Sequence, residues 1–382
     1  MNQKFQSLKD YIIRDKGVVN GNKLEFLYSF KNFPLFFGCV DSPIEDDLIA
    51  DMEWVIDKST GAIQLSKLIP LEILYQEQHM DGTGPTWQKY YLDFAEYINS
   101  YNNSHNILEI GGGSGQLAKI VTSKNNLIKW TVIEPNPRIE SSNQINVIDG
   151  FFDHKLCLEK GIDTIVISQV LEHIYEPSEF IKEISIFLNI GGKVILAYPQ
   201  TKVWLDKKYT NAINFEHTFL IDDFIEYLFC KNGFKTLDKE IYKEHSIFYT
   251  FENKRIEYQN LEIPNKYDEY KKIFSSFISY HQSLIKDLNT KISESNLPVY
   301  LFGAHIFATY LFSFGLSKNI KGILDNSKIK QNRRLYGTPF IVSSPKILKG
   351  QGEVNVILKA GHFNDEIKKD IFENINANVN FW

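Results

Sequence analysis

The stretch Asn106-Ile107-Leu108-Glu109-Ile110-Gly111-Gly112-Gly113-Ser114-Gly115-Gln116-Leu117 decides the fold. It reads as a buried strand, a glycine-rich turn and the start of a helix. Glycines at 111, 113 and 115 suit a turn that needs positive φ or a close approach of backbone to a ligand. A second apolar strand, Trp130-Thr131-Val132-Ile133, ends in Glu134, 21 residues after Gly113. That is the distance at which the next strand of a doubly wound sheet presents an acid to a ribose. A third strand ends in Asp149-Gly150. A fourth, Asp163 to Ile167, runs into Ser168-Gln169-Val170-Leu171-Glu172-His173-Ile174. In such sheets the ligand lies beyond the carboxyl ends of the strands, and these residues gather at that edge. The turn alone also fits a dinucleotide-dependent dehydrogenase, since Gly113 to Ala118 follows G-x-G-x-x-A.

The Glu109 to Gly115 turn, Glu134, Asp149, the V-L-E-H-I run at 170–174 and the L-x-x-G-G pattern at Leu188 to Gly192 resemble class I S-adenosylmethionine-dependent methyltransferases. The similarity spans roughly residues 106–252. It implies an α/β, doubly wound Rossmann-like sheet and S-adenosylmethionine as cofactor. The resemblance places the backbone of Gly111, Gly113 and Gly115 at the methionyl portion, Glu134 at the ribose hydroxyls, and Asp149 and Phe151 at the adenine, with Glu109 and Gly150 at the same strand edge. Gln169 falls at the same edge.

Three units are expected: 1–105, 106–255 and 256–382. Residues 1–37 read as a helical or irregular lead-in, with Asn32 to Phe37 docking on the body. Met52 to Ile56, a turn at Ser59-Thr60-Gly61, and Ala62 to Leu65 read as strand-turn-strand. A helical region from Leu71 to Ser100 breaks at Asp81 to Thr86. Pro264 to Ile292 carries apolar residues at three- and four-residue spacing and reads as one long helix. A smaller α/β unit follows: strands at Pro298 to Phe302, Ile320 to Leu324, Gly337 to Ile341 and Val354 to Leu358, with a helix at Ile306 to Phe314.

The flanking units resemble those of sugar C-methyltransferases. That family carries an N-terminal zinc ribbon, but Asp57 and Thr60 stand near its cysteine positions, so the shape is expected without the metal. Tyr75 and the turn from Gly82 to Thr86 fall where the family closes over the methionine end of the cofactor. The C-terminal unit, with Gly303-Ala304-His305, Asp325 to Gln331, Gly337-Thr338-Pro339-Phe340 and Gly361-His362-Phe363, would frame the substrate pocket. His305, His362 and Tyr198 are candidate pocket residues. The family's Y-x-E-H motif is only partly present at Asn214-Phe215-Glu216-His217: asparagine hydrogen-bonds but does not exchange protons near neutral pH. This favours methylation of oxygen or nitrogen over carbon. His217 is then the expected base, with Glu216 beside it and His173 as the other candidate; histidine's ordinary pKa of about 6.5 suits the task. Asn214 is left to bind the acceptor.

The chain has 382 residues and a net charge of −5, with no support for a nucleic-acid surface. Its cysteines, Cys39, Cys157 and Cys230, show no paired spacing. That argues against a disulfide framework and fits a reducing compartment. No apolar run reaches signal-peptide length at the start, and no span of ~18 apolar residues occurs. A soluble, cytoplasmic enzyme without a membrane partner is expected. It would act on a small, nucleotide-linked acceptor such as a sugar precursor of a surface polysaccharide. The alternatives are carbon methylation of a sugar, or binding of S-adenosylmethionine or a nucleotide without catalysis. Oligomeric state is open.

Overall fold

The computed structural model describes residues 5–75, 84–153, 162–256, 258, 260–359 and 364–382. Its centre is a seven-stranded sheet. In spatial order the strands are Ile145–Asp149, Lys129–Glu134, Asn106–Ile110, Thr164–Ser168, Lys193–Pro199, Ser246–Asn253 and Phe234–Tyr242. The first five are parallel and the last two antiparallel. The order reverses between Asn106–Ile110 and Thr164–Ser168, which sets the crevice at their carboxyl ends. The strands are apolar on both faces, so alternate side chains feed two cores: Leu108 and Ile110 pack on one side, Ile107 on the other.

The helix Pro85–Tyr101 starts with proline at its first position and buries Tyr90, Phe94, Tyr97 and Ile98 on one face of this sheet. Of the break expected before it, residues 81–83 lie outside the described residues, as does His362.

The N-terminal unit differs from the sequence reading. Residues 24–34 form an eleven-residue strand, not an irregular lead-in. It pairs antiparallel with Leu48–Asp57 through two register shifts, and these bulges break the period-two pattern that would have revealed it. Phe33 and Leu35 are buried, as expected of a docking segment. At the turn after Leu48–Asp57, Asp57 Oδ1 accepts the backbone N–H groups of Ser59 and Thr60 and the Ser59 hydroxyl. Asn20 and Asn22 donate their side-chain amides to Ser59 Oγ, tying the 17–22 loop to the same turn.

The long helix Tyr267–Glu294 joins the units. Tyr270, Phe274 and Phe277 pack into the main core, with Phe274 against Trp54 of the N-terminal sheet. Ile285, Leu288 and Ile292 pack on the C-terminal unit. That unit is a five-stranded parallel sheet in the order Val342–Ser343, Gly322–Leu324, Val299–Phe302, Val354–Leu358, Val379–Phe381. The strand expected at Gly337 to Ile341 is instead a turn: Gly337 has φ +76°, and its N–H donates to Asp47 Oδ2 at 2.7 Å. The pairing strand begins at Val342.

The units interlock. Phe219–Leu220 leaves the central segment to pair with Ile63 and Gln64 of the N-terminal sheet. Arg334 reaches from the C-terminal unit to a bidentate pair with Asp47, at 2.5 and 2.6 Å, and both residues are buried. No helix among the described residues is long and apolar enough to cross a membrane.

Candidate active site

A cleft of about 650 Å³ opens at the carboxyl ends of the central strands. This is within the ~300–1,000 Å³ usual for small-molecule sites. One end is built by the glycine turn. Gly111 has φ +77°, and a Cβ there would lie 2.3 Å from Val170 Cγ2, so only glycine fits. Gly113 has φ +50° and gives its N–H to Glu134 Oε2 at 3.1 Å, while Asn136 N–H binds Glu134 Oε1 at 3.1 Å. Both carboxylate oxygens are thus oriented by backbone and keep further lone pairs, since an ionised carboxylate has about four acceptor sites.

Tyr75, Gly150 and Phe151 complete this end. The Tyr75 carbonyl accepts from Asn136 Nδ2, and the Tyr75 and Phe151 rings meet edge to face at 6.0 Å. Burial pushes the Tyr75 hydroxyl well above its ordinary pKa.

Other expected cofactor residues sit differently. Glu109 borders the cleft, but its buried carboxylate accepts Trp130 Nε1–H at 2.8 Å and supports the turn from beneath. Burial raises its pKa to about 7. Gly115, with φ +69°, opens the helix Gln116–Lys124 and packs on Ile139, outside the cleft wall. Asp149 and Thr86 are exposed and do not border the cleft; their chain neighbours Gly150 and Trp87 do.

Gln169 is a non-glycine residue at φ +55°, a costly backbone state that clusters at functional sites. Its side-chain amide donates to Ser246 Oγ at 2.9 Å, and Ser246 Oγ lies 2.6 Å from His245 Nδ1.

Glu172, His173, Asn214, Glu216 and His217 also line the cleft. Two loops meet there for definite reasons. Thr218 N–H donates to the Glu172 carbonyl at 3.0 Å. The buried Arg14 guanidinium bonds the carbonyls of Thr218 and Tyr175, clamping both loops. Tyr310 of the C-terminal unit donates its hydroxyl to the Ile213 carbonyl. Asn214 Oδ1 accepts the N–H groups of Glu216 and His217. The imidazoles of His173 and His217 lie 5.4 Å apart, centroid to centroid, at 87°. His217 Nδ1 faces the Ala212 carbonyl at 3.4 Å. Desolvation lowers the His217 pKa against the pull of Glu216, which keeps the ring neutral near pH 7. Glu172 is buried, and burial raises its pKa to about 8.

Trp87, Tyr91 and Trp204 wall the cleft with Asn211, and sequence reasoning did not single these out for the site. Trp204 and Asn211 lie in the crossover after Lys193–Pro199, where no motif marks them. Tyr198, expected in the pocket, is fully buried beneath it, because its strand position points into the core. His305 is also away from the cleft: it caps the helix Ile306–Ser313, its side chain accepting Phe307 N–H.

Residues 79–239 match the family model of the methyltransferase domain. No curated protein sequence matches the chain. Among solved structures, similarity extends to a chain of the Haloferax volcanii complex with the Trm112 methyltransferase activator, at 12% identity and TM-score 0.37, covering 44% of this chain and 92% of that one. The Pyrococcus horikoshii PH0226 protein aligns at 15% identity and TM-score 0.37, covering 48% and 98% respectively. Human N-acetylserotonin methyltransferase, solved with S-adenosylmethionine, aligns at 18% identity and TM-score 0.34, covering 43% and 53%. The chain carries a methyltransferase domain, and S-adenosylmethionine is the cofactor of that activity. The oriented Glu134 carboxylate and the glycine cradle fit that group.

Proposed function

We propose that this enzyme methylates an oxygen or nitrogen of a small acceptor, most simply a nucleotide-linked sugar made in the cytoplasm as a precursor of a surface polysaccharide. One observation carries the reading: a single cleft joins the Glu134–Gly113 end to the paired imidazoles of His173 and His217. Bound S-adenosylmethionine supplies an electrophilic methyl group. On this reading Glu134 accepts its ribose hydroxyls, Gly150 and Phe151 flank the adenine end, Tyr75 closes over the cofactor from beside Phe151, and Gln169 borders the methionyl end.

His217 takes the acceptor's proton. Its neutral ring is held by Ala212, and Glu216 favours the imidazolium that forms. A base of this kind contributes roughly 10²–10⁴-fold. His173 stands second in line. Trp87, Tyr91 and Trp204 offer aromatic faces to a sugar ring, and Asn211 offers an amide to its hydroxyls. The resemblance of the flanking units to sugar C-methyltransferases supports the sugar acceptor. Asn214 in place of that family's tyrosine supports oxygen or nitrogen as the methylated atom.

The test is turnover of radiolabelled S-adenosylmethionine against a panel of nucleotide sugars. Label is expected in a sugar product, with His217→Ala slower by about 10²-fold at unchanged cofactor affinity. Tight cofactor binding with no transfer to any small acceptor would favour a non-catalytic binding protein. Deuterium exchange at an acceptor carbon would favour carbon methylation.

A further inference from the structure

Three side chains that line the cleft have the composition of a metal site. Glu172, His173 and His217 each bring a ligand atom within 4.8 Å of the others. Glu172 Oε1 is 3.9 Å from His173 Nε2. The Ala212 carbonyl, which can only accept, faces His217 Nδ1 at 3.4 Å and favours the tautomer with the proton there and a lone pair on Nε2. A ring N–H held by a backbone carbonyl is the usual support of a ligating histidine.

An independent feature points to a cation. Glu172 is 1% exposed and borders the cleft, yet its Oε2 has no hydrogen-bond partner. A buried carboxylate oxygen left unpaired is costly, and a bound cation removes that cost. The loops are already tied through Thr218 and Arg14, so the three groups are held near one another without the ion.

We propose that Glu172, His173 and His217 bind a divalent cation of the zinc class, and that the cation occupies the His217 lone pair through which the acceptor's proton would leave. The second half rests on the methyl-transfer reading above; the first does not. Two imidazoles and one carboxylate suit zinc or cobalt better than the all-oxygen preference of magnesium or calcium. Bonds of about 2.0–2.2 Å set tetrahedral ligands about 3.4 Å apart, so ligand atoms that lie within 4.8 Å of one another close by up to about 1.4 Å. The fourth position opens to the cleft and takes water. With the ion bound, His217 cannot act as base, so the site holds either a cation or a reacting acceptor.

The test uses the full chain, freed of metal by chelator, titrated with Co(II) while its visible d–d absorption is followed. One equivalent is expected to give a tetrahedral-type band that zinc displaces. Glu172→Gln, which preserves shape, and His173→Asn should each weaken binding about tenfold or more. Diethyl pyrocarbonate labelling of His217, mapped by mass spectrometry, should fall when zinc is bound. Absence of the band in folded protein, or wild-type affinity in both variants, overturns the site. Binding without protection of His217 overturns the link to the base. All these readouts are made without cofactor or acceptor, so a failed transfer reaction counts against the methyl-transfer reading and not against the site.

Discussion

Asn214 Oδ1 accepts the backbone N–H groups of Glu216, at 2.7 Å, and of His217, at 2.8 Å. The asparagine bends the chain where a tyrosine would have no acceptor in reach, and so aims His217 into the cleft. Its amide therefore serves first as a loop cap. Asn214→Ala should lower stability by about 1–2 kcal/mol and turnover by more than its stability loss explains. Asn214→Asp, which keeps the acceptor oxygen, should recover most of both. Denaturant melts with single-turnover rates would check this; equal rates in wild type and Asn214→Ala would show that the loop holds its shape without the cap.

The buried carboxyls set a pH dependence of stability. Burial raises Glu172 to about 8 and Glu109 to about 7, against an ordinary glutamate value of 4.5. The folded state then holds more protons than the unfolded one, so their contribution to stability is lost as pH rises through these values. The lowered histidines His217, His245, His281 and His305 act below about pH 6.5, where the unfolded chain takes up the protons. Between about pH 6.5 and 8 the carboxyls dominate, and Tm should fall. Glu172→Gln should flatten that fall. A variant with the wild-type slope would mean that Glu172 is ionised, or solvated, in the folded protein.

Asp47 and Arg334 form a buried bidentate pair between the N- and C-terminal units. Removing one partner leaves a buried charge, at a cost of roughly 3–5 kcal/mol. Asp47→Ala should lose about this much in urea denaturation, and the double variant Asp47→Ala/Arg334→Met should recover part of it. A loss below about 1 kcal/mol, the range of exposed pairs, would mean that water reaches the pair.

Much of the central sheet was legible because local pattern and fold agree there. The turn at Gly111 to Gly115 and the acid at Glu134 could be read from hydrophobic runs and glycine spacing. Residues 24–34 could not, because two bulges scramble their alternation. The expected strand at Gly337 to Ile341 failed because Gly337 serves a contact with Asp47, nearly three hundred positions earlier in the chain. At the site, the position of Glu134 follows from strand order. The meeting of His173 with His217 depends on Arg14 and Tyr310, anchors distant in sequence, and on the bond from Thr218, next to His217, to the Glu172 carbonyl; no local motif reveals them. Tyr198 shows the opposite limit: a polar residue at the right strand end whose side chain is fully buried in the core and does not border the cleft.

The central claim is that the cleft binds S-adenosylmethionine through Glu134. Isothermal titration of wild type, Glu134→Gln and Glu134→Ala with S-adenosylmethionine tests it most directly, with circular dichroism to confirm folding. A hydrogen bond to a charged group contributes about 1.5–3 kcal/mol, so Glu134→Ala should weaken the Kd by roughly 10- to 100-fold. Glu134→Gln, which keeps one acceptor oxygen, should fall between the two. A folded Glu134→Ala protein that binds the cofactor as tightly as wild type would contradict the account.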